Sequence, residues 1–149
     1  MGEVLFYQLE RRPLEKVLPE LLVKSLERGW RVVVEAGSDE RLEALNGLLW
    51  TYDDTSFLPH GTAADGNAAD QPIYLTVGPD NPNGAVVRFL VDGATTRAFA
   101  DYQRIVFLFD AGDPDAMASA REAWKAAKAE AADATYWRQD EGGRWRKEA

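Results

Sequence analysis

The run Arg104-Ile105-Val106-Phe107-Leu108-Phe109 constrains this chain more than any other stretch, because its five apolar residues come in unbroken succession. A strand with no polar face is stable only in a sheet covered on both sides, and it belongs near the centre of that sheet. Arg31-Val32-Val33-Val34-Glu35 repeats the demand with three adjacent valines. Strands of this kind are typical of parallel sheets, whose crossover helices cover both faces.

The segments between carry helical spacing. Leu14, Val17, Leu18, Leu21, Leu22, Ser25 and Leu26 recur at three and four residues. Pro13 suits the start of that helix and Gly29 its C-terminal cap. Ser38 is placed to cap a second helix, Asp39 to about Trp50, whose apolar positions are Leu42, Leu45, Leu48 and Leu49. Asp113-Pro114 opens a third, with Met117, Ala120, Trp124, Ala127 and Ala131 as its core seam. Val4 to Tyr7, Ile73 to Thr76 and Val86 to Leu90 read as further strands, and Thr95 to Tyr102 as a short helix. Residues 62–71 read as a mobile loop and 78–84 as a dense turn cluster. Thr135 to Arg138 and Arg144 to Arg146 flank Gly142-Gly143 as a small hairpin with a loop of about five residues. The expected fold is a single α/β, Rossmann-like domain over 1–149, with a largely parallel sheet flanked by helices. Residues from about 136 to 149 form its C-terminal hairpin.

The chain has 17 basic and 25 acidic residues, a net charge of −8, and no cysteine. Clustered Lys and Arg supply most of the affinity for a phosphate backbone, so direct DNA binding is disfavoured. Disulfides and thiolate chemistry are excluded, which suits a reducing, cytoplasmic setting. No segment approaches the ~20 apolar residues of a membrane span. The sequence reads as that of a soluble, unprocessed protein.

A Rossmann-like fold raises the alternative of a nucleotide- or metal-dependent enzyme. Gln8-Leu9-Glu10-Arg11-Arg12 after the first strand has no glycine, and Glu35-Ala36-Gly37-Ser38 after the second has one. Neither G-x-G-x-x-G nor a Gly-Lys-Ser/Thr phosphate loop is present, so no cofactor is expected. Asp110, Asp113 and Asp115 stand at the end of a central strand, where a magnesium site would want them. As a helix cap and first-turn acid, Asp113 and Asp115 have a structural role that competes with that reading. Ser56, His60 and Asp53-Asp54 invite a hydrolase, but nothing around Ser56 resembles a nucleophile elbow. Turn contacts for the two aspartates and a local bond from His60 beside Pro59 serve equally.

Two surfaces remain. Arg121, Trp124, Lys125 and Lys128 share one face of the third helix. By spacing alone they form either a solvated cationic stripe with lysine stems over the seam or a binding site. Trp50, Tyr52 and Phe57 surround a segment ended by Pro59 and Gly61, where connecting segments are usually polar. That segment plugs its own sheet edge or meets another protein.

Leu49-Trp50 followed by Ser56-Phe57-Leu58-Pro59-His60 resembles the signature of the chi subunit of bacterial DNA polymerase III holoenzyme. Phe6-Tyr7-x-Leu9, Ala120-Arg121-Glu122-Ala123-Trp124-Lys125 and Thr135-Tyr136-Trp137-Arg138-Gln139-Asp140 match it in order. The resemblance implies a single chi-like domain with no catalytic residues. It implies an adaptor linking the clamp loader to single-stranded-DNA-binding protein, with DNA met only indirectly. It assigns the acidic C-terminal tail of that protein to Arg121, Trp124, Lys125 and Lys128. It assigns a psi or other clamp-loader subunit to Trp50, Phe57 and Pro59. The family often has tyrosine where Trp124 stands and lysine where Met117 stands; the latter difference removes part of the electrostatic contact. The C-terminal end resembles a longer subgroup that closes with a Trp-Arg-Gln-Asp hairpin.

Overall fold

A computed structural model of the chain describes residues 2–51, 58–96, 98–130 and 132–149. Its strands are β1 (Glu3–Leu9), β2 (Val32–Glu35), β3 (His60–Thr62), β4 (Ile73–Thr76), β5 (Val87–Leu90), β6 (Arg104–Asp110), β7 (Asp133–Gln139) and β8 (Trp145–Lys147). Its helices are α1 (Leu14–Glu27), α2 (Asp39–Thr51) and α3 (Pro114–Ala129). All strands join one sheet in the order β3-β4-β2-β5-β6-β1-β7-β8. Every described pairing is parallel except that of β7 with β8. The expected α/β domain with its terminal hairpin is therefore the observed architecture.

The unbroken apolar strands behave as their composition requires. Val106 and Leu108 of β6 join Leu5, Leu9, Val32 and Val34 beneath α1 and α2. Ile105, Phe107 and Phe109 join Val4 and Phe6 on the opposite face, beneath α3. β1 lies between β6 and β7, with Phe6 opposite Phe107 and Tyr136. Helix α1 starts after Pro13 and ends at Arg28, with Gly29 at φ 78° beyond it. A left-handed position at the helix end is one that glycine takes without steric cost.

Three helices do not cover eight strands. On the α3 side of β2, β4 and β5 the cover is the β4–β5 turn cluster, and a buried guanidinium fastens it. Arg88, 1% exposed, uses all five of its N–H groups. Nε donates to Glu35 Oε1 at 3.1 Å and Nη2 to the same oxygen. Nη2 also donates to the Gly78 carbonyl at 2.6 Å, and Nη1 to the Asp80 carbonyl at 3.0 Å and the Tyr102 hydroxyl at 3.1 Å. Asp80 in turn accepts from Thr76 Oγ1 at 2.6 Å and Tyr74 Oη at 3.1 Å, so the loop is bound at both ends.

Three local expectations differ. Among the described residues of the stretch from Thr95 to Tyr102 there is no helix, only a turn at Phe99-Ala100 and a bend at Asp101. Thr96 Oγ1 accepts the Ala98 N–H at 3.1 Å, a side-chain bond that competes with helical pairing, while Phe99 and Tyr102 are drawn into the core. His60–Thr62 adds a strand at the sheet edge that its short polar sequence does not announce. The stretch expected to be a mobile loop holds that strand's last residue and two 3-10 turns, Ala63–Asp65 and Ala68–Asp70.

The hairpin turn is organised by Asp140. Its Oδ1 accepts from Gly142 N at 2.9 Å and Arg144 N at 3.0 Å, and its Oδ2 from Arg146 Nε at 3.0 Å. The Arg144 amide, then the Arg146 guanidinium, hold this carboxyl below the usual aspartate range. A depressed folded pKa means the turn is fully supported above the ordinary aspartate value of about 3.9 and loosens as pH falls through the lower one. The protection factors of the Gly142 and Arg144 amides, which correct for the slower intrinsic exchange in acid, should therefore fall on acidification before those of β1 or β6, and a pH series of NMR exchange measurements reads it. Arg88→Met should lower the unfolding free energy by about 3–5 kcal/mol by stranding the Glu35 carboxylate. The check is the urea midpoint; Glu35→Gln, which keeps an acceptor, should shift it less.

Candidate functional site: the outer edge of helix α3

Asp113 caps α3, accepting Asp115 N at 3.0 Å and Ala116 N at 3.2 Å, with Pro114 at the first position. Asp110 Oδ1 accepts Gly112 N at 2.8 Å. Asp110 and Asp113 thus hold backbone amides, and among the described residues no three His, Cys, Asp or Glu side chains are grouped to hold a metal ion. Ala116, Ala120, Ala123, Ala126 and Ala127 are the buried side of the helix, small enough to let it sit close to the aromatic strands. The outer edge keeps Arg121, Trp124, Lys125 and Lys128.

Trp124 is half-buried and held by other rings. Phe6 meets it at 5.4 Å with planes 81° apart, and Tyr136 at 5.8 Å and 87°. These edge-to-face contacts fix the indole as part of the core and as a wall facing outward. The Lys128 ammonium sits 4.8 Å from the indole centroid. Lys125 leans toward Glu122 at 3.5 Å, with both side chains well exposed. Burial raises the pKa of the Tyr136 hydroxyl, and the charges of Arg138 and then Arg121 oppose that rise.

Tyr136 and Arg138 complete the surface, and neither was singled out from the sequence. Tyr136 donates to Gln8 Oε1. Arg138 grips Glu10 with Nε at 3.1 Å and Nη2 at 2.8 Å, and that guanidinium is the main cause of Glu10's lowered pKa. The only available signal was the alternation in Thr135-Tyr136-Trp137-Arg138, which puts Tyr136 and Arg138 on one face of β7. The arrangement can receive an apolar group against Trp124 and an anion at Arg121 and Lys128.

The second expected surface is partly described. Trp50, at the end of α2, is 55% exposed, and its ring lies 4.6 Å from that of His60. His60 is buried and donates from Nδ1 to the Leu58 carbonyl at 2.6 Å, the local bond expected beside Pro59. Pro59 is half-buried and Leu58 buried. Tyr52, Asp53, Asp54, Ser56 and Phe57 lie outside the described residues.

A match to the DNA polymerase III chi subunit (HolC) family model covers residues 1–135. The chain belongs to the chi subunit family. Among curated relatives, the "Probable DNA polymerase III subunit chi" of Rickettsia prowazekii (strain Madrid E) is 32% identical over 91 residues. That alignment covers 61% of this chain and 55% of the relative. The chi family is a non-catalytic accessory subunit of DNA polymerase III, and the chain spans about half the length of the curated relative it matches.

The chi match ends before most of the hairpin, and a hairpin residue decides the state of the first strand-to-helix turn. In a dinucleotide-binding domain this turn presents successive amides to a pyrophosphate. Here the N–H groups of Glu10, Arg11 and Arg12 donate to Gln139 Oε1 at 2.9, 2.9 and 3.1 Å. A neutral oxygen from β7 occupies the anion position. Beside it, the crevice at the strand ends is lined by Glu15, Asp92, Asp110 and Asp113 with Arg41, a surface that repels phosphate. Gln139→Ala should cost about 1–3 kcal/mol and speed hydrogen exchange at Glu10 to Arg12, because three amides lose one acceptor. Gln139→Glu, retaining the oxygen, should keep those amides protected.

Proposed function

We propose that this chi-family chain is a non-catalytic adaptor of the replicative polymerase. Its role is to link the clamp loader to single-stranded-DNA-binding protein by taking that protein's acidic C-terminal tail. The observation that carries the reading is the juxtaposition of Trp124 and the Lys128 ammonium on an edge that also bears Arg121. Such a tail ends in an apolar residue preceded by carboxylates. The indole wall suits the first and the cations the second. Tyr136 extends the wall, whereas Arg138 is already committed to Glu10. Lys125, drawn to Glu122, contributes from the exposed rim.

A psi-like or other clamp-loader subunit meets the opposite end of the sheet, at Trp50 and Pro59, with Phe57, outside the described residues, assigned to the same partner by the chi resemblance. Its support is the 55% exposure of Trp50 beside edge strand β3. The net charge of −8 keeps the protein itself off DNA. No helix among the described residues is long and apolar enough to cross a membrane. As a subunit of the replication machinery, the proposed adaptor is assigned to the cytoplasm.

A short tail loses conformational freedom on binding, so about micromolar affinity is expected. Arg121→Ala should cost about 1.5–3 kcal/mol where its guanidinium bonds a carboxylate, and Lys128→Ala about 0–1 kcal/mol at the exposed rim. Trp124→Tyr tests the wall without emptying the core. Calorimetry with the tail peptide decides the matter. Unchanged affinity for Arg121→Glu and Lys125→Glu would place the tail elsewhere.

A further inference from the structure

A pocket lies on the other side of the sheet from α3. A cavity of about 250 Å³ runs between α1 and the C-terminal hairpin. Leu5, Val106 and Phe89 form its floor and Val17 and Leu21 its helical wall. Tyr7 and Trp145 close the far side, their rings 4.6 Å apart. Trp145 comes from β8, outside the residues 1–135 that match the chi family.

The rim of this groove is cationic. Lys24, Arg28 and Arg104 all line it, and both guanidiniums pack on Trp30, at 4.9 and 5.1 Å from its ring. Arg104 pairs with Glu3 through Nη2, but its Nε is buried and has no hydrogen-bond partner among the described residues. Glu20, the carboxylate in the lining, is engaged by Arg12. The groove thus combines an apolar slot, four aromatic rings, an unused buried donor and a surplus of positive charge. An unsatisfied buried N–H is costly, and an acceptor supplied from outside would relieve it.

We infer that this groove is a second peptide-binding site, taking an acidic segment that inserts one aromatic or aliphatic side chain between α1 and Trp145. Size and charge select this occupant. A cavity of about 150 Å³ holds a benzene ring, whereas drug-sized ligands need about 300–1,000 Å³. At about 250 Å³ the slot fits a single anchoring side chain. The surplus cations then meet the flanking carboxylates. Single-stranded nucleic acid is the weaker fit, since a chain of net charge −8 repels an extended polyanion beyond a local patch.

The test uses the full chain, nitrogen-15 labelled, and the capped peptide acetyl-Asp-Asp-Phe-Asp-Asp-amide, which has no terminal carboxylate. The protein has five tryptophans, so five indole signals report on different places. The expected result is saturable movement of the Trp30 and Trp145 signals, with that of Trp124 unmoved. Lys24→Glu with Arg28→Glu, both exposed, should weaken binding at least tenfold, and an unchanged β-sheet amide spectrum checks that the variant is folded. Trp145→Ala should abolish it, and Arg121→Glu should leave it unchanged. The inference is overturned by movement confined to Trp124, by no movement at about 1 mM peptide, or by an equal response to the peptide with lysines for aspartates. It is equally overturned if an oligothymidylate moves Trp30 and Trp145 while the acidic peptide does not. Failure here leaves the Arg121 site untouched, because that site is read by a different tryptophan and a different variant.

Discussion

The five-way engagement of Arg88 is the contact on which half the sheet depends. Eight strands with three helices leave part of one face, over Val33 and Tyr74, without a helix. A loop must cover it, and a loop exposes carbonyls that need donors. A guanidinium fixed in β5 provides them for Gly78 and Asp80, while Glu35 of the neighbouring strand neutralises its charge. Asn83 continues the arrangement by donating to the Val32 and Gln71 carbonyls at 3.1 and 2.8 Å. The turn cluster is thus part of the core's covering layer, and strands β2, β4 and β5 are buried by polar bonds as well as by apolar contact.

This explains which features were legible in the sequence. Val32 to Val34 and Ile105 to Phe109 announced a sheet buried on both faces because that demand is local to each run. Asp113-Pro114 announced α3 for the same reason. Arg88 read only as an ordinary member of a strand, since its partners stand 8, 10, 14 and 53 residues away and meet it only in the folded sheet. At the α3 surface, Arg121, Trp124, Lys125 and Lys128 followed from helical spacing. Tyr136 did not, because its place beside Trp124 requires the parallel pairing of β1 with β7, which no periodicity encodes. The same holds for Gln139, whose oxygen crosses more than a hundred residues of sequence to fill an amide nest.

Gln139 also shows how a Rossmann-like chain serves a non-catalytic role. The first strand-to-helix turn keeps its three convergent N–H groups, a geometry that attracts anions wherever it is left open. Closing it with a side-chain amide from the hairpin turns a ligand site into a structural joint. The joint ties β7 to the β1–α1 turn and fixes the hairpin's position at the edge of the sheet. The hairpin's other residues then have a defined surface to build.

That surface and the α3 edge are related through β1. Successive side chains of a strand point to opposite faces. Phe6 faces Trp124 and Tyr136, while Tyr7 faces Trp145. One strand, held between β6 and β7, therefore supplies a ring to each surface and keeps the two on opposite sides of a rigid layer. An occupant of one does not reach the other, so both can be filled at once without steric conflict. In a protein whose overall charge is negative, the two proposed cationic-aromatic sites would favour acidic, apolar-anchored segments over extended polyanions. For the proposed adaptor this geometry would be useful in itself. Two partners bound on opposite faces of one sheet would be linked by the sheet's stiffness, with no conformational change needed to bring them together.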